Sequence, residues 1–232
     1  MAIFRGPRTI TNGLVLAVDA ADKNSYKGSG ATWTDLSGNN NTGTLVNTPT
    51  FSNTRGGAIA FNGTNQYVNI TNSTSLQVAD TFTVCAWIYP TSLAARYGIF
   101  STRAVNTAAS WQFEVGIANA GTNRMALTGV GTWIAESVDN VISANRWLHV
   151  CVVKVNNATT GATMYVNGSS VSNRVTTAYT ISNNTAVKRI ASGTNTLELF
   201  PGNIAQTLLY RRALSATEIL QNYNATKTRF GL

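Results

Sequence analysis

Nine acidic side chains, 17 basic ones and one histidine are spread over 232 residues, so any chemistry would rest on few groups. Retaining hydrolysis of a glycosidic bond takes two carboxyls about 5 Å apart, which on one strand means acids alternating along one face. Glu114 has no such partner: Gln112 and Gly116 hold the same-face positions beside it. Glu136 and Asp139 are three apart, a spacing that sends them to opposite faces of a strand. His149 is the single histidine; a metal centre or a nucleophile–histidine pair needs further groups beside it. Cys151, two residues on, can share its face. Gly28-Ser29-Gly30 is not followed by a Lys-Ser/Thr helix start, so no phosphate-binding loop is implied. The expectation is a non-enzymatic protein without a cofactor.

Saccharide recognition needs less: an aromatic ring to stack on, with amide, carboxylate or guanidinium groups beside it. Tyr97, Gln112, Glu114, Arg124 and Trp133 are the candidates, as polar-side residues of successive middle strands. The competing reading makes Tyr97 and Trp133 core or edge packing. Trp87, Trp111 and Trp147 each continue an apolar stripe and belong to a core.

The elements that would position these residues are nearly all strands. Phe82–Tyr89 alternates with apolar residues on both faces, Phe82, Val84, Ala86 and Ile88 against Cys85, Trp87 and Tyr89, which predicts a central strand covered on both sides. Ala58–Phe61 and Tyr67–Ile70 read as a hairpin joined through Asn62-Gly63. Further strands are expected over 14–18, 97–102, 111–117, 124–130, 133–138, 147–155, 163–167, 187–191, 197–200 and 204–210, with a tight turn at Asn167-Gly168. Between Asp22 and Asn53 lies a long turn-rich loop, pinned by Trp33 and Leu36. One helix is signalled: Ser215-Ala216-Thr217-Glu218 is a capping box, Leu214 and Ile219 form a hydrophobic staple, and Ile219, Leu220 and Tyr223 make an apolar face. The pattern predicts an all-β, two-sheet antiparallel sandwich with one short C-terminal α-helix, residues 13–232, preceded by an arm over residues 1–12.

Composition narrows the setting. Hydrophobic residues make up 44% of the chain and charged residues only 11%, under half the usual ~25%. The net charge of +8 is scattered, without the dense basic run of a nucleic-acid binder; it leaves docking onto an acidic partner open. Arg5 and Arg8 in the arm are candidate anchoring residues. Cys85 and Cys151 sit mid-strand outside any C-x-x-C pair, as small buried hydrophobes or as a disulfide across paired strands. No apolar signal region opens the sequence, and no run reaches the ~20 apolar residues of a membrane span. The chain is expected to be made and kept in a cytoplasm, where its Asn-x-Ser/Thr matches carry no glycan.

The ordered motifs Phe61-Asn62-Gly63, Tyr67-Val68, Phe82 through Trp87-Ile88, Arg146-Trp147-x-His149-Val150, Met164-Tyr165-Val166-Asn167-Gly168, Gly202-x-Ile204 and Tyr210-x-x-Ala213-Leu214-Ser215-x-x-Glu218-Ile219 together resemble the laminin-G-like (concanavalin A-like) jelly-roll domains. The opening, Gly13-Leu14-Val15-Leu16 to Asp35-Leu36-Ser37-Gly38, and the tail Gln221–Lys227 are similar to a subset found in virion proteins of tailed bacteriophages. The resemblance implies a jelly roll with His149 at a packed structural position. Some relatives cleave β-glycans with alternating carboxylates, which this chain lacks. Others bind calcium near Phe-x-Gly-x-x-x-Tyr-Val and after Gly-x-Ile, where this chain has Asn62, Asn65, Gln66 and Ala205-Gln206 in place of acids, so no metal is implied. Asp35 is expected to bond its own turn. The phage-like ends imply a virion structural protein, a capsid decoration or head fibre on the particle surface. It would be assembled in the host cytoplasm as a homo-oligomer, a trimer by preference, with other virion proteins as partners and neither nucleic acid nor membrane. The alternative is a lectin-like tail or neck fibre module that contacts host surface glycans.

Overall fold

The computed structural model describes residues 7–103, 110–116, 122–156, 162–194 and 197–232. In chain order the strands are β1 (Leu14–Asp19), β2 (Thr32–Trp33), β3 (Gly43–Val46), β4 (Thr50–Ser52), β5 (Ala58–Asn62), β6 (Tyr67–Ile70), β7 (Phe82–Pro90), β8 (Arg96–Ser101), β9 (Trp111–Gly116), β10 (Arg124–Gly129), β11 (Thr132–Ser137), β12 (Leu148–Lys154), β13 (Ala162–Val166), β14 (Ser169–Val171), β15 (Asn173–Thr176), β16 (Lys188–Ile190) and β17 (Pro201–Tyr210), followed by helix α1 (Ala216–Thr226). They form two antiparallel sheets. The first runs β14-β13-β12-β7-β17-β5-β4, with β1 also paired to β17; the second runs β15-β11-β10-β9-β8-β16-β6-β3-β2. Alternation explains the layering: the inward residues of both sheets, among them Phe82, Val84, Ile88, Trp111, Phe113, Leu127 and Val150, make one continuous core.

The outward face of the first sheet is apolar too, and it needs its own cover. Ala17, Cys85, Cys151, Leu208 and Tyr210 pack against Leu214 and Ile219 at the start of α1. Trp87, Trp147 and Ala205 pack against Phe230 in the turn that follows the helix. The two-sided burial expected of Phe82–Tyr89 is thus met by the second sheet inside and the C-terminal segment outside. The Ser215 hydroxyl accepts from the Glu218 N–H at 3.3 Å, and the Ser215 N–H donates to the Glu218 carboxylate at 2.9 Å. Arg212 clamps the same carboxylate at 2.9 and 2.6 Å, and with the Ser215 N–H it holds Glu218 down at about 2. Leu220 is turned outward, so the buried line of the helix is Ile219 and Asn222, with Tyr223 half-buried.

Several local expectations are corrected. Ala58–Phe61 and Tyr67–Ile70 are not a hairpin: β5 pairs with β17 and β4 in the first sheet, while β6 pairs with β3 and β16 in the second. The Asn62 side chain folds the link back on itself, accepting from the Thr64 and Asn65 N–H groups at 2.9 and 3.1 Å. The long loop carries three short strands, β2 to β4, and is pinned by buried Trp33, whereas Leu36 is exposed. Residues 197–200 are not a strand, and Ile117, expected at the end of β9, lies outside the described residues.

The cysteines are joined. Cys85 and Cys151 face each other in the β7–β12 register with Cα atoms 4.1 Å apart, and they form a disulfide rather than two separate apolar fillers. His149 lies on the same face, buried between the rings of Trp87 and Tyr223, its nitrogens 3.8 Å from the Cys151 sulfur. Among the described residues these three are the group of potential metal ligands that converges, within 4.8 Å, and both sulfurs are spent on each other. Burial pushes the His149 imidazole down to about 3.

A histidine buried neutral makes the unfolded chain bind more protons between about pH 6.5 and 3, so its contribution to stability is lost as pH falls through that window. Urea unfolding of the native chain and of His149→Phe at pH 7 and pH 5 tests this. The native chain is expected to lose up to about 1.4 kcal/mol per pH unit more than the variant; equal pH slopes would refute it.

Candidate ligand-binding site

The outward face of the second sheet carries polar side chains on neighbouring strands. β9 pairs with β8 and β10 so that Glu114 stands opposite Gly98 on one side and Ala126 on the other, and Gln112 opposite Ser101 and Thr128. A register shift in β11 sets Trp133 opposite Thr128 and Glu136 opposite Ala126. The strands thereby bring Gln112, Glu114, Arg124 and Trp133 to one face. Tyr97 is not among them. It pairs with Val115, points into the sandwich and packs against the core, because the one-residue step from Arg96 turns its side chain to the other face.

Glu114 is buried and clamped by Arg96, whose Nε and Nη2 donate to its two oxygens at 2.9 and 2.8 Å. A second acid, Glu198, joins from the segment after β16, 3.4 Å from Arg96 Nη1. The Gln112 amide donates to both carboxylates, to Glu198 at 2.6 Å. Two glycines admit that segment. A Cβ on Gly98 would come within 2.4 Å of the Ser192 carbonyl carbon, and one on Gly193 would strike the carboxylate of Glu198 and the amide of Gln112. Burial raises the Glu114 carboxyl above its ordinary range, against the pull of Arg96. Glu114 is therefore not alone, as its strand neighbours suggested, but the space between the two carboxyls is filled by a guanidinium and an amide. That is an ion-pair network rather than an acid and a nucleophile flanking an open site.

Arg124 is committed in the same way. Its guanidinium is fully buried, 3.0 Å from Glu136 and 2.6 Å from Asp139. Asp139 lies beyond the end of β11, in a turn, so the spacing rule for a strand does not apply and both acids reach one arginine. Arg124 and the Thr122 N–H hold Asp139 down at about 2.

What this face offers to a ligand is the rim of the network. Arg96, Arg103, Thr128, Gly129, Thr132 and Trp133 line a cleft of about 210 Å³. The Arg96 guanidinium lies over the Trp133 ring, 4.9 Å from its centroid. An aromatic wall, a positioned cation and two threonine hydroxyls suit a small polyhydroxylated ligand. The strand start at Arg96 and the distant Glu198 had no mark in the sequence that tied them to Glu114.

The family follows from sequence and fold together. A profile of the Concanavalin A-like lectin/glucanases superfamily, of laminin-G type, matches residues 62–220. The chain belongs to that superfamily. No curated protein sequence matches it. Among solved structures it is similar to domain 4 of an extracellular arabinanase from Geobacillus stearothermophilus in complex with arabinotriose, at 17% identity and a TM-score of 0.67, covering 90% of this chain and 98% of that one. It is also similar to the binding domain of Paraclostridial Mosquitocidal Protein 1, at 18% identity and a TM-score of 0.67, covering 93% of this chain and 52% of that one. A third is the Trypanosoma rangeli sialidase in complex with the inhibitor DANA, at 12% identity and a TM-score of 0.65, covering 98% of this chain and 36% of that one. The chain thus spans about half of the toxin domain and about a third of the sialidase. These likenesses establish a lectin-like jelly roll, a fold found in binding domains and within enzymes alike.

Of the arm residues, Arg5 lies outside the described part. Arg8 is exposed, but its carbonyl accepts from Gln221 at 2.8 Å, and the Ile10 N–H donates to Asn222 at 2.8 Å. Residues 8–12 are therefore laid along α1 of their own chain. Asp35 bonds the backbone of its own turn at Ser37 and that of Ala17, and Asp19 is held by Arg229 and Gln206. Among the described residues no helix is long and apolar enough to cross a membrane.

Removing Arg124 would strand Glu136 in the superfamily's sheet without a counter-charge. Arg124→Ala is expected to lower unfolding stability by roughly 3–5 kcal/mol, read from denaturant midpoints. A loss below about 1 kcal/mol would show that the triad is not the support described here.

Proposed function

We propose that this jelly roll is a non-enzymatic, carbohydrate-binding module that binds a neutral or weakly polar sugar unit in the Arg96–Trp133 cleft. The observation that carries the reading is the way the cleft is built. The groups that would have to act as acid and nucleophile are hydrogen-bonded to Arg96 and Gln112, while the same network holds Arg96 rigidly over an aromatic ring at the surface. Binding is served by that rigidity, since little side-chain freedom is lost on contact. The arabinanase domain with its arabinotriose adds weight by analogy of fold.

The setting we infer is the surface of a tailed-bacteriophage particle, as a capsid decoration, head fibre, or tail or neck fibre. It rests on the resemblance of the opening and tail stretches to virion proteins. One contact supports it: the arm is held by Gln221 and Asn222 of the tail stretch, so arm and helix form one exposed patch carrying Arg8, suited to docking on an acidic lattice. Self-association, as a trimer by preference, and assembly with other virion proteins belong to the same proposal.

Glycan-array binding of the purified protein, followed by titration calorimetry on the best neutral oligosaccharide, tests the first part. Trp133→Ala is expected to weaken binding about tenfold or more, and Glu114→Gln is expected to release no reducing sugar that the native chain does not release. An array without hits, hydrolysis that Glu114→Gln abolishes, or unchanged affinity in Trp133→Ala would overturn it.

Immunogold labelling of particles from a lysate containing this protein tests the setting. Dense label over the head supports the decoration reading, label on the tail or neck supports the fibre reading, and particles without label would refute both.

A further inference from the structure

A second, larger concave surface lies on the other sheet, away from the Arg96–Trp133 cleft. It is a groove of about 750 Å³ on the outward side of the first sheet, at the β4, β7 and β17 ends, bordered by the turn after α1. We propose that this groove binds an acidic polysaccharide, a chain bearing carboxylate or sulfate groups, through Arg55 and Arg146.

Charge is the first argument. Arg55 and Arg146 both line the groove and both are exposed, and the lining contains no acidic side chain. Neither arginine has a carboxylate partner among the described residues, unlike Arg96, Arg124, Arg212 and Arg229. Acids near the groove do not cancel them either, since Asp19 is engaged by Arg229 at 2.7 Å. Two exposed guanidinium groups bordering a groove without Asp or Glu side chains favour an anion, and their planar forks match carboxylate and sulfate oxygens.

The lining is the second argument. Tyr89, Trp147 and Phe230 form a continuous aromatic shelf, with centroids 5.6 Å apart between the first two and 4.7 Å between the last two. Trp147 and Phe230 are buried and Tyr89 is half-buried, so the shelf leaves little ring surface open. Single-stranded nucleic acid binds by stacking bases on exposed ring faces, which this shelf does not supply. The amides of Asn145 and Asn203 line the same groove, giving donors and acceptors for hydroxyls. Anion, hydroxyl and apolar C–H edge recurring along a chain are the chemistry of an acidic polysaccharide. The overall charge of +8 would bring such a chain in at low salt.

The purified full chain can be titrated by calorimetry and by affinity electrophoresis with polygalacturonate, dextran sulfate, neutral dextran and a single-stranded DNA oligonucleotide. Expected is binding to polygalacturonate or dextran sulfate that weakens with salt, with no binding to neutral dextran; which of the two binds distinguishes carboxylate from sulfate. Arg55→Ser combined with Arg146→Ser is expected to reduce that binding about tenfold or more. Both side chains are exposed, so the fold tolerates the change. Trp133→Ala is expected to leave it within about twofold of the native chain, which separates this groove from the cleft. The proposal is overturned if neither acidic polymer binds, if the double variant binds like the native chain, if Trp133→Ala weakens binding as much as the arginine changes, or if the DNA binds as tightly as the polysaccharides.

Discussion

Strand β7 buries side chains on both of its faces, and this constraint organises the molecule. Phe82, Val84, Ala86 and Ile88 point into the sandwich, and Cys85 and Trp87 point out of it, all of them buried. A sheet with one apolar face needs one partner; a sheet whose central strand is apolar on both needs two. The second sheet meets the inner demand. On the outer side the demand is met by α1 and the turn behind it. The capping box at Ser215 and the Arg212 clamp on Glu218 therefore serve more than helix stability. They start the helix where Leu214 and Ile219 fall over Cys85, Cys151 and Tyr210. The disulfide and His149 sit beneath that cover, which is why the one histidine is held neutral.

The two sheets handle their outward faces differently. The first hides apolar surface under a helix. The second hides charge within itself, by pairing. With so few ionisable groups in the chain, each buried acid on this face is matched to an arginine: Glu114 to Arg96, Glu136 to Arg124. Pairs of this kind contribute little net stability but are costly to break, and they fix geometry. What they fix here is the angle of Arg96 over Trp133.

Much of this was legible in the sequence, and the reasons for what was not are physical. Alternation and turn residues marked most strands, since a half-buried strand must repeat every two residues. The helix start was legible because its signals are local. Partnership between strands was not. Ala58–Phe61 and Tyr67–Ile70 look like a hairpin because a short Asn-Gly link joins them, yet the chain crosses from the first sheet to the second between β5 and β6, and nothing in the link records that. The face of Tyr97 was missed by one residue because β8 begins at Arg96, and a single step inverts every side chain. Glu198 could not be assigned to Glu114 at all, since it arrives from a segment outside the strands. The disulfide was left open for the same reason: it depends on the β7–β12 register, which sequence spacing does not encode.

The distribution of arginine bears on function more than the total charge does. The arginines on the second sheet's outward face, on the helix cap and at Asp19 have their work inside the molecule, and removing any of them would be felt as lost structure. Arg55 and Arg146 touch no acid among the described residues. They stand at a groove whose walls hold no negative side chain. Neither cation has an acid to pair with among the described residues, while an anionic ligand would give each a charged contact in a partly desolvated setting. The cleft at Trp133 differs: the cation over its ring, Arg96, is already matched by two carboxylates, and it shares the lining with Arg103 and two threonine hydroxyls. On the two proposals, two chemically different saccharides, or two stretches of one surface polymer, would sit in concavities on opposite sheets.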